Sequence, residues 1–281
     1  MLHADLADHY QRGSSHVHRL DPRIKVIAAV LFILAATLLP PGAWLPYGLL
    51  FLATLLVAGQ SGLGVTYALR RSLVALPFAL AAITLPFTVP GQPLAQFAGW
   101  TISLEGTVRF ISLVVKSWVS VQIAVLLAVT TAFPDLLWAL RALRVPRPLV
   151  SIVSFMYRYM FVLADEALRL QRARAARSAA GPDPRRTGGT WLWRGRVAGG
   201  LVGNLALRSL ERSERIYNAM LARGFQGELR TLTPPVLRDT DRYALAGWVT
   251  FLAMVLLITR LKSGTCASTI RTATPPCRAW T

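Results

Sequence analysis

The chain alternates long apolar runs with short charged or Pro/Gly-bearing breaks, and each run is measured against the roughly 20 residues a helix needs to cross about 30 Å of hydrocarbon. Residues Val26 to Pro40 and Trp44 to Ala58 form two short runs, and Pro40, Pro41 and Gly42 between them predict a tight helical hairpin. Ser72 to Val89 is a third span that contains Pro77 and Pro86, tolerated in membrane helices whose neighbours satisfy the freed carbonyls. Ser117 to Phe133 is a fourth and Tyr243 to Thr259 a fifth. Arg109 and Lys116 stand ahead of the fourth run and are placed near an interface, because a charge at mid-bilayer costs on the order of 2.5–3.5 kcal/mol.

The stretch between the fourth and fifth runs has a different pattern. Leu149 to Leu163 is apolar apart from Arg158 and leads into Asp165, Glu166, Arg169, Arg172, Arg174 and Arg177, while Val162, Ala167, Leu170 and Ala173 keep a helical stripe. Asp165 and Arg169 make an acid-before-base i,i+4 pair worth a few tenths of a kcal/mol. Gly181 and Pro182 should stop this helix, and after the breakers Pro184, Gly188 and Gly189 a second runs from about Trp191 to Arg223. Trp191 and Trp193 with Arg194 and Arg196 read as an interfacial anchor. Gly195, Gly199 and Gly203 recur at spacings of four, either as a flexible linker or as a small-residue face that another helix can approach closely. Leu201, Leu205, Ile216 and Met220 continue the pattern and favour the helix crossing. Arg223 followed by Gly224 reads as a last-turn cation and a C′ glycine, which puts the guanidinium at a helix tip.

Composition turns this pattern into a fold class. With 54% hydrophobic residues, 16% charged residues and a mean hydropathy of +0.46, the 281 residues describe a membrane protein rather than a soluble globule. The expected fold is all-α and polytopic, with about five transmembrane helices and long amphipathic cytoplasmic coupling helices. The net charge of +18 supplies orientation. From Arg141 to Arg242 there are 19 Arg against 8 acids, which by the positive-inside rule is a cytoplasmic segment, and Arg70, Arg71, Arg19, Arg23 and Lys25 agree. The chain thus divides into a cytoplasmic N-terminal segment (1–25), transmembrane helices one to four (26–133), cytoplasmic coupling helices (134–242), a last transmembrane helix (243–260) and a disordered tail (261–281) in an inner, cytoplasmic membrane. The residues before the first run lack a cleavage pattern, so no secretory signal is expected there.

Candidate chemistry is sparse. Cys266 and Cys277 are the only cysteines, which removes a disulfide framework or a Cys-rich metal site. His3, His9, His16 and His18 are the only histidines, so the spans carry no triad and no imidazole proton shuttle, which disfavours an intramembrane enzyme. With Asp5 and Asp8 the early histidines resemble a nickel or cobalt ligand set, but no metal site or cofactor is assigned there. No GxxxxGK[ST] is present, so the chain does not itself hydrolyse ATP through a P-loop. The Arg-rich segment lacks interleaved aromatics, so nucleic acid is not an expected partner, whereas contact with bilayer lipid is.

The most informative feature is a repeated tripeptide, Ala176-Arg177-Ser178 and Ala222-Arg223-Gly224, at the ends of two amphipathic helices in a membrane protein. With His18-Arg19-Leu20-Asp21-Pro22-Arg23-Ile24-Lys25, Met156-Tyr157-Arg158-Tyr159 before Asp165-Glu166-Ala167, and Glu214-Arg215-Ile216 before Ala219-Met220, it resembles the T component of energy-coupling-factor (ECF) transporters of the cobalt/nickel-type CbiQ family. The likeness covers about residues 14 to 260, with Ser178 where the family often has Gly. It implies a non-catalytic coupling subunit with two partner ATP-binding-cassette ATPases, which receive the motif arginines in grooves, and a metal-binding, substrate-specific membrane subunit. A T component serving vitamin-specific subunits is the alternative within the same class.

Overall fold

The structure, a computed structural model, describes residues 15–62, 70, 72, 76–90, 93–97, 100–177, 190–227 and 237–269. By contacts the chain divides into a bundle unit, residues 8–139 and 234–281, and a second unit, residues 1–7 and 140–233.

The bundle unit begins with a single turn, α1 (His16–Arg19), and the helical hairpin α2 (Pro22–Leu38) and α3 (Trp44–Gln60). The start of α2 follows from Asp21-Pro22. Asp21 is the N-cap and accepts from the Arg23 N–H at 2.8 Å, while Pro22 occupies a position whose N–H would have no helical partner. Gly42, at φ +84°, makes the turn between the helices and donates its N–H to Ser112 Oγ at 2.9 Å, and Tyr47 donates to the Pro40 carbonyl at 2.8 Å.

The third expected span is not one helix. Within residues 76–90 the structure has α4 (Leu76–Ala82), a turn at Ile83 and Thr84, and α5 (Leu85–Thr88). Pro86 has no N–H and its ring excludes the preceding helical carbonyl, so it starts a helix of four residues instead of continuing one. An antiparallel β-hairpin follows, β1 (Pro93–Phe97) and β2 (Trp100–Ser103), pairing Phe97 with Trp100 and Pro93 with Ser103. This hairpin is the one described departure from all-α structure. Ser103 then caps α6 (Leu104–Thr130), its Oγ accepting from Gly106 N–H at 3.1 Å. Gly106 is required by close approach: a Cβ there would lie 2.6 Å from the Leu85 carbonyl oxygen and 2.8 Å from Pro86 Cα. The unit also holds most of α7 (Phe133–Ala142), whose Trp138 ring lies 4.1 Å under the Arg23 guanidinium, and α10 (Asp239–Thr269). The Asp241 carboxylate, in the first turn of α10, accepts from the Arg238 N–H at 3.2 Å and fixes the helix start.

The core of this unit lies where α2, α3, α6 and α10 meet, around Phe32, Leu50, Leu126, Leu252 and Val255, all buried. Trp248 stacks on Phe32 at 5.8 Å and donates its indole N–H to the Ala28 carbonyl at 3.1 Å. Outward, Leu34, Leu38, Leu52, Leu56 and Leu257 are exposed, an apolar surface suited to hydrocarbon.

Among the described residues three helices are long and apolar enough to cross a membrane: α6, the Asp239–Leu261 part of α10, and α8 (Arg147–Arg177) of the second unit; α3 is apolar but shorter. The third run is broken, and a helix assigned to the cytoplasm carries a membrane-compatible first half.

The second unit consists chiefly of α8 and α9 (Trp191–Ala222). Both ends of α9 match the sequence expectation within a few residues, because Thr190 supplies an N-cap, accepting from Trp193 N–H at 3.4 Å, and Gly224 a stop. Gly181 and Pro182, expected to stop α8, lie outside the described residues.

Candidate coupling site

Within the second unit α8 and α9 run in opposite directions. Near the start of α8, Ser151 donates to the Gly227 carbonyl at 3.0 Å and the Phe155 ring meets Phe225 edge-on at 6.0 Å. Farther along, Arg208 of α9 donates to Glu166 of α8 at 2.9 Å. The Glu166 side chain is 18% exposed and the Arg208 side chain 59%, so the pair is half-screened rather than buried. Arg169 Nε lies 3.9 Å from the other Glu166 oxygen, so the intrahelical partner of Arg169 is Glu166 at i,i+3 and not the Asp165 expected from spacing.

The end of α9 is a Schellman motif. The Phe225 N–H donates to the Met220 carbonyl at 3.0 Å and the Gly224 N–H to the Leu221 carbonyl at 2.9 Å, with Gly224 at φ +76°. Gly224 is thus the C′ residue, Arg223 the C-cap and Phe225 the apolar C″ residue folded back onto Phe155. Ala222 and Arg223 are exposed at this tip. At the other end of the pair Ala176 and Arg177 are the last two residues of α8 and are also exposed; Ser178 lies outside the described residues. Arg177 is eleven residues beyond Glu166, and Arg223 is fifteen beyond Arg208. With about 1.5 Å of rise per residue, the two tips lie on the order of 16 and 22 Å to either side of the ion pair.

Among the described residues nothing lies against the face of Gly195, Gly199 and Gly203, where a close crossing is expected from the sequence. A Cβ built on any of the three meets nothing within 4 Å, and the helices are joined instead through Glu166–Arg208 and Phe155–Phe225. Spacing shows that a face is small, not that a helix lies against it. Between α8 and α9 an apolar groove of about 780 Å³ is left open, lined by Ile152, Phe155, Tyr159, Leu210, Tyr217 and Met220 among others. Trp191 and Leu192, at the start of α9, are almost wholly exposed.

Sequence reasoning missed Glu166, Arg208 and Phe225 as the braces of the site. Only Phe225 had a local signal, an apolar residue at C″ after a C′ glycine. Among the described residues no group of three or more His, Cys, Asp or Glu could hold a metal ion. The early His3, His9, Asp5 and Asp8 lie outside them. His18 Nδ1 pairs with Ser15 Oγ at 2.6 Å and its carbonyl accepts from Lys25 at 3.2 Å, so its described contacts are those of a structural residue.

The sequence profile of the CbiQ family, described as cobalt transport protein, matches residues 13–234. The chain is 26% identical over 260 residues to an uncharacterized protein of Methanocaldococcus jannaschii, covering 90% of this chain and 83% of that protein. It is 33% identical over 159 residues to the cobalt transport protein CbiQ of Rhodobacter capsulatus, covering 55% of this chain and 62% of that protein. It is 28% identical over 267 residues to the energy-coupling factor transporter transmembrane protein EcfT of Lacticaseibacillus paracasei, covering 91% of this chain and 98% of that protein. With a profile match across most of its length and helices fit to cross a bilayer, the chain is a membrane protein of the CbiQ cobalt transport family.

Proposed function

We propose that the chain is the transmembrane coupling component of an ECF-type importer, transmitting the motion of two ATP-binding-cassette ATPases to a substrate-specific membrane subunit, for cobalt or nickel ions. The observation that carries this reading is the placement of Ala176-Arg177 and Ala222-Arg223-Gly224 at opposite tips of an antiparallel helix pair. One chain thereby presents one guanidinium to each of two ATPases. On this reading residues 134–242 face the cytoplasm, and each Arg forks onto a carboxylate-lined groove of its ATPase. The Glu166–Arg208 and Phe155–Phe225 contacts brace the two helices, so displacement at one tip is carried along a stiff rod to the apolar groove, which suits a membrane-subunit partner. ATP hydrolysis belongs to the partners, since the chain has no P-loop.

A second reading keeps the coupling role and changes the cargo. In it the chain serves vitamin-specific subunits; relatives named EcfT align along 91% and 90% of this chain, against 55% for the CbiQ of Rhodobacter capsulatus, so a coupling role not tied to cobalt is the alternative.

Co-purification in mild detergent tests both. The wild-type chain should bring down ATPase chains and one membrane subunit, whose bound ligand, metal or vitamin, identifies the cargo. A charge-assisted contact contributes about 1.5–3 kcal/mol, so Arg177→Ala with Arg223→Ala should weaken ATPase recovery roughly tenfold or more while the chain stays in the membrane. Unchanged ATPase recovery in the double variant removes the docking role.

A further inference from the structure

The first turn of α9 carries the most exposed large apolar side chains among the described residues, and the coupling role does not use them. Trp191 and Leu192 are 87% and 88% exposed, and Trp193 is 47% exposed. They stand on regular helix: the Trp193 N–H donates to Thr190 Oγ and the Arg194 N–H to the Thr190 carbonyl at 2.9 Å. Consecutive helical residues point about 100° apart, so these three occupy the whole circumference of the helix tip. A groove on a protein takes one apolar face of a helix, whereas an apolar medium that surrounds the tip takes all three side chains.

Charge follows the apolar tip in a fixed order along the axis. Arg194 and Arg196, both exposed, lie about 4.5 and 7.5 Å behind Trp191 at helical rise and on different sides of the helix. Beyond the Glu166–Arg208 brace, the described parts of α8 and α9 hold Arg169, Arg172, Arg174, Arg177, Arg194 and Arg196 and no acid. Trp191 is seventeen residues from Arg208, whereas Arg177 is eleven from Glu166, so the tip of α9 stands about 9 Å farther from the brace than the motif arginine. An aromatic and apolar tip backed by guanidiniums repeats the order of a bilayer interface, from the acyl boundary out to the phosphates.

We propose that the first turn of α9 is an anchor in an anionic bilayer surface, with Trp191, Leu192 and Trp193 at the acyl boundary and Arg194 and Arg196 on lipid phosphates. This contact differs from the general solvation of membrane helices by lipid, because it depends on lipid charge and on salt. Each guanidinium near an anionic surface favours the seated tip about fivefold. The anchor ties one end of the α8–α9 pair to the membrane surface, apart from the docking of Arg177 and Arg223, and is measurable without the ATPases.

Depth-dependent quenching in nanodiscs tests it on the full chain. A fluorophore is attached at Gly195→Cys, where a Cβ meets nothing within 4 Å and all five anchor residues remain, in a background lacking Cys266 and Cys277. Lipids with a nitroxide at the headgroup should quench it in discs of phosphatidylcholine and phosphatidylglycerol in equal parts, and much less in phosphatidylcholine alone or at high salt. The same label at Gly203→Cys, equally open and about 12 Å farther along α9, should escape quenching. Arg194→Gln with Arg196→Gln should lower the ratio of seated to free tip roughly tenfold or more, at an unchanged unfolding temperature because both side chains are exposed. Equal quenching in the two lipid compositions overturns the anionic surface, and unchanged quenching in the folded arginine variant overturns the role of the guanidiniums. Equal quenching at Gly195→Cys and Gly203→Cys overturns the tip as the anchor. A label at Gly195→Cys that lipid never quenches and that only added ATPase chains shield overturns the proposal and gives the tip to the ATPase.

Discussion

The Lys25 ammonium donates to the carbonyl of Thr130 at 3.0 Å, joining the first turn of α2 to the last residue of α6 across 105 residues. Lys116 acts in the opposite sense, donating from α6 to the carbonyls of Thr37 and Leu39 at the end of α2. Each of two antiparallel helices thus receives at its C-terminus, where carbonyls lack helical partners and the dipole is negative, a lysine from the other. The chain has 31 basic residues and only three lysines, Lys25, Lys116 and Lys262, so two of its three lysines serve this purpose.

Replacing Lys25 by Met keeps the apolar stem and leaves the buried Thr130 carbonyl without its donor. The expected cost is about 1–3 kcal/mol, read as a lower unfolding temperature in detergent. Lys116→Met, at a more exposed bond, should cost less. Equal, negligible effects in both variants would show that the reciprocal caps do not hold the bundle together.

Glycine positions separate into two kinds with opposite expected outcomes. At Gly106 an added Cβ would collide with the Leu85 carbonyl and Pro86, so Gly106→Ala should destabilise the bundle by a few kcal/mol or prevent its folding. Gly199 and Gly203 sit in an exposed helix interior with nothing within 4 Å, so alanine there should stabilise α9 by up to about 1 kcal/mol. Hydrogen exchange along α9 and thermal unfolding distinguish the two cases.

At Gly224 the space is open but φ is +76°, so the penalty of a side chain is one of backbone alone. Gly224→Ala should cost on the order of 1 kcal/mol, fray residues 222–227 and release Phe225 from Phe155. Faster amide exchange at Phe225 and weaker ATPase recovery, with α8 unaffected, are the expected signature.

These contrasts show which parts of the molecule are legible in the sequence. The hairpin α2–α3 and the limits of α9 follow from apolar length and local stop signals, since Asp21-Pro22, Pro41-Gly42 and Arg223-Gly224 act within a turn of the residues they govern, whereas α6 begins at Leu104, well before the run expected from Ser117, and takes Arg109 and Lys116 into its length. The third span fails because hydropathy counts Pro86 as apolar while the backbone must do without its N–H. Arg144 shows the same limit: it takes φ +66° after α7, a place where glycine is the usual signal. The Lys25–Thr130 bond and the Glu166–Arg208 brace join residues far apart in sequence, and no window along the chain contains both partners. The glycine stripe reads as an interface because spacing describes one face of a helix and is silent about what lies opposite.

The central claim, that the tips of α8 and α9 each engage one ATPase, is tested most directly by site-specific cross-linking in the assembled transporter. Ala176→Cys and Ala222→Cys, exposed positions that leave both motif arginines in place, each in a background lacking Cys266 and Cys277, would be combined with single cysteines in the grooves of the partner ATPases. The account predicts that both positions form cross-links, that the doubly substituted chain captures two ATPase chains, and that the yield changes with bound nucleotide. Absence of ATPase cross-links at both positions, together with labelling of Ala176→Cys in intact cells by a membrane-impermeant thiol reagent, would contradict it, because the tips would then lie on the wrong side of the membrane.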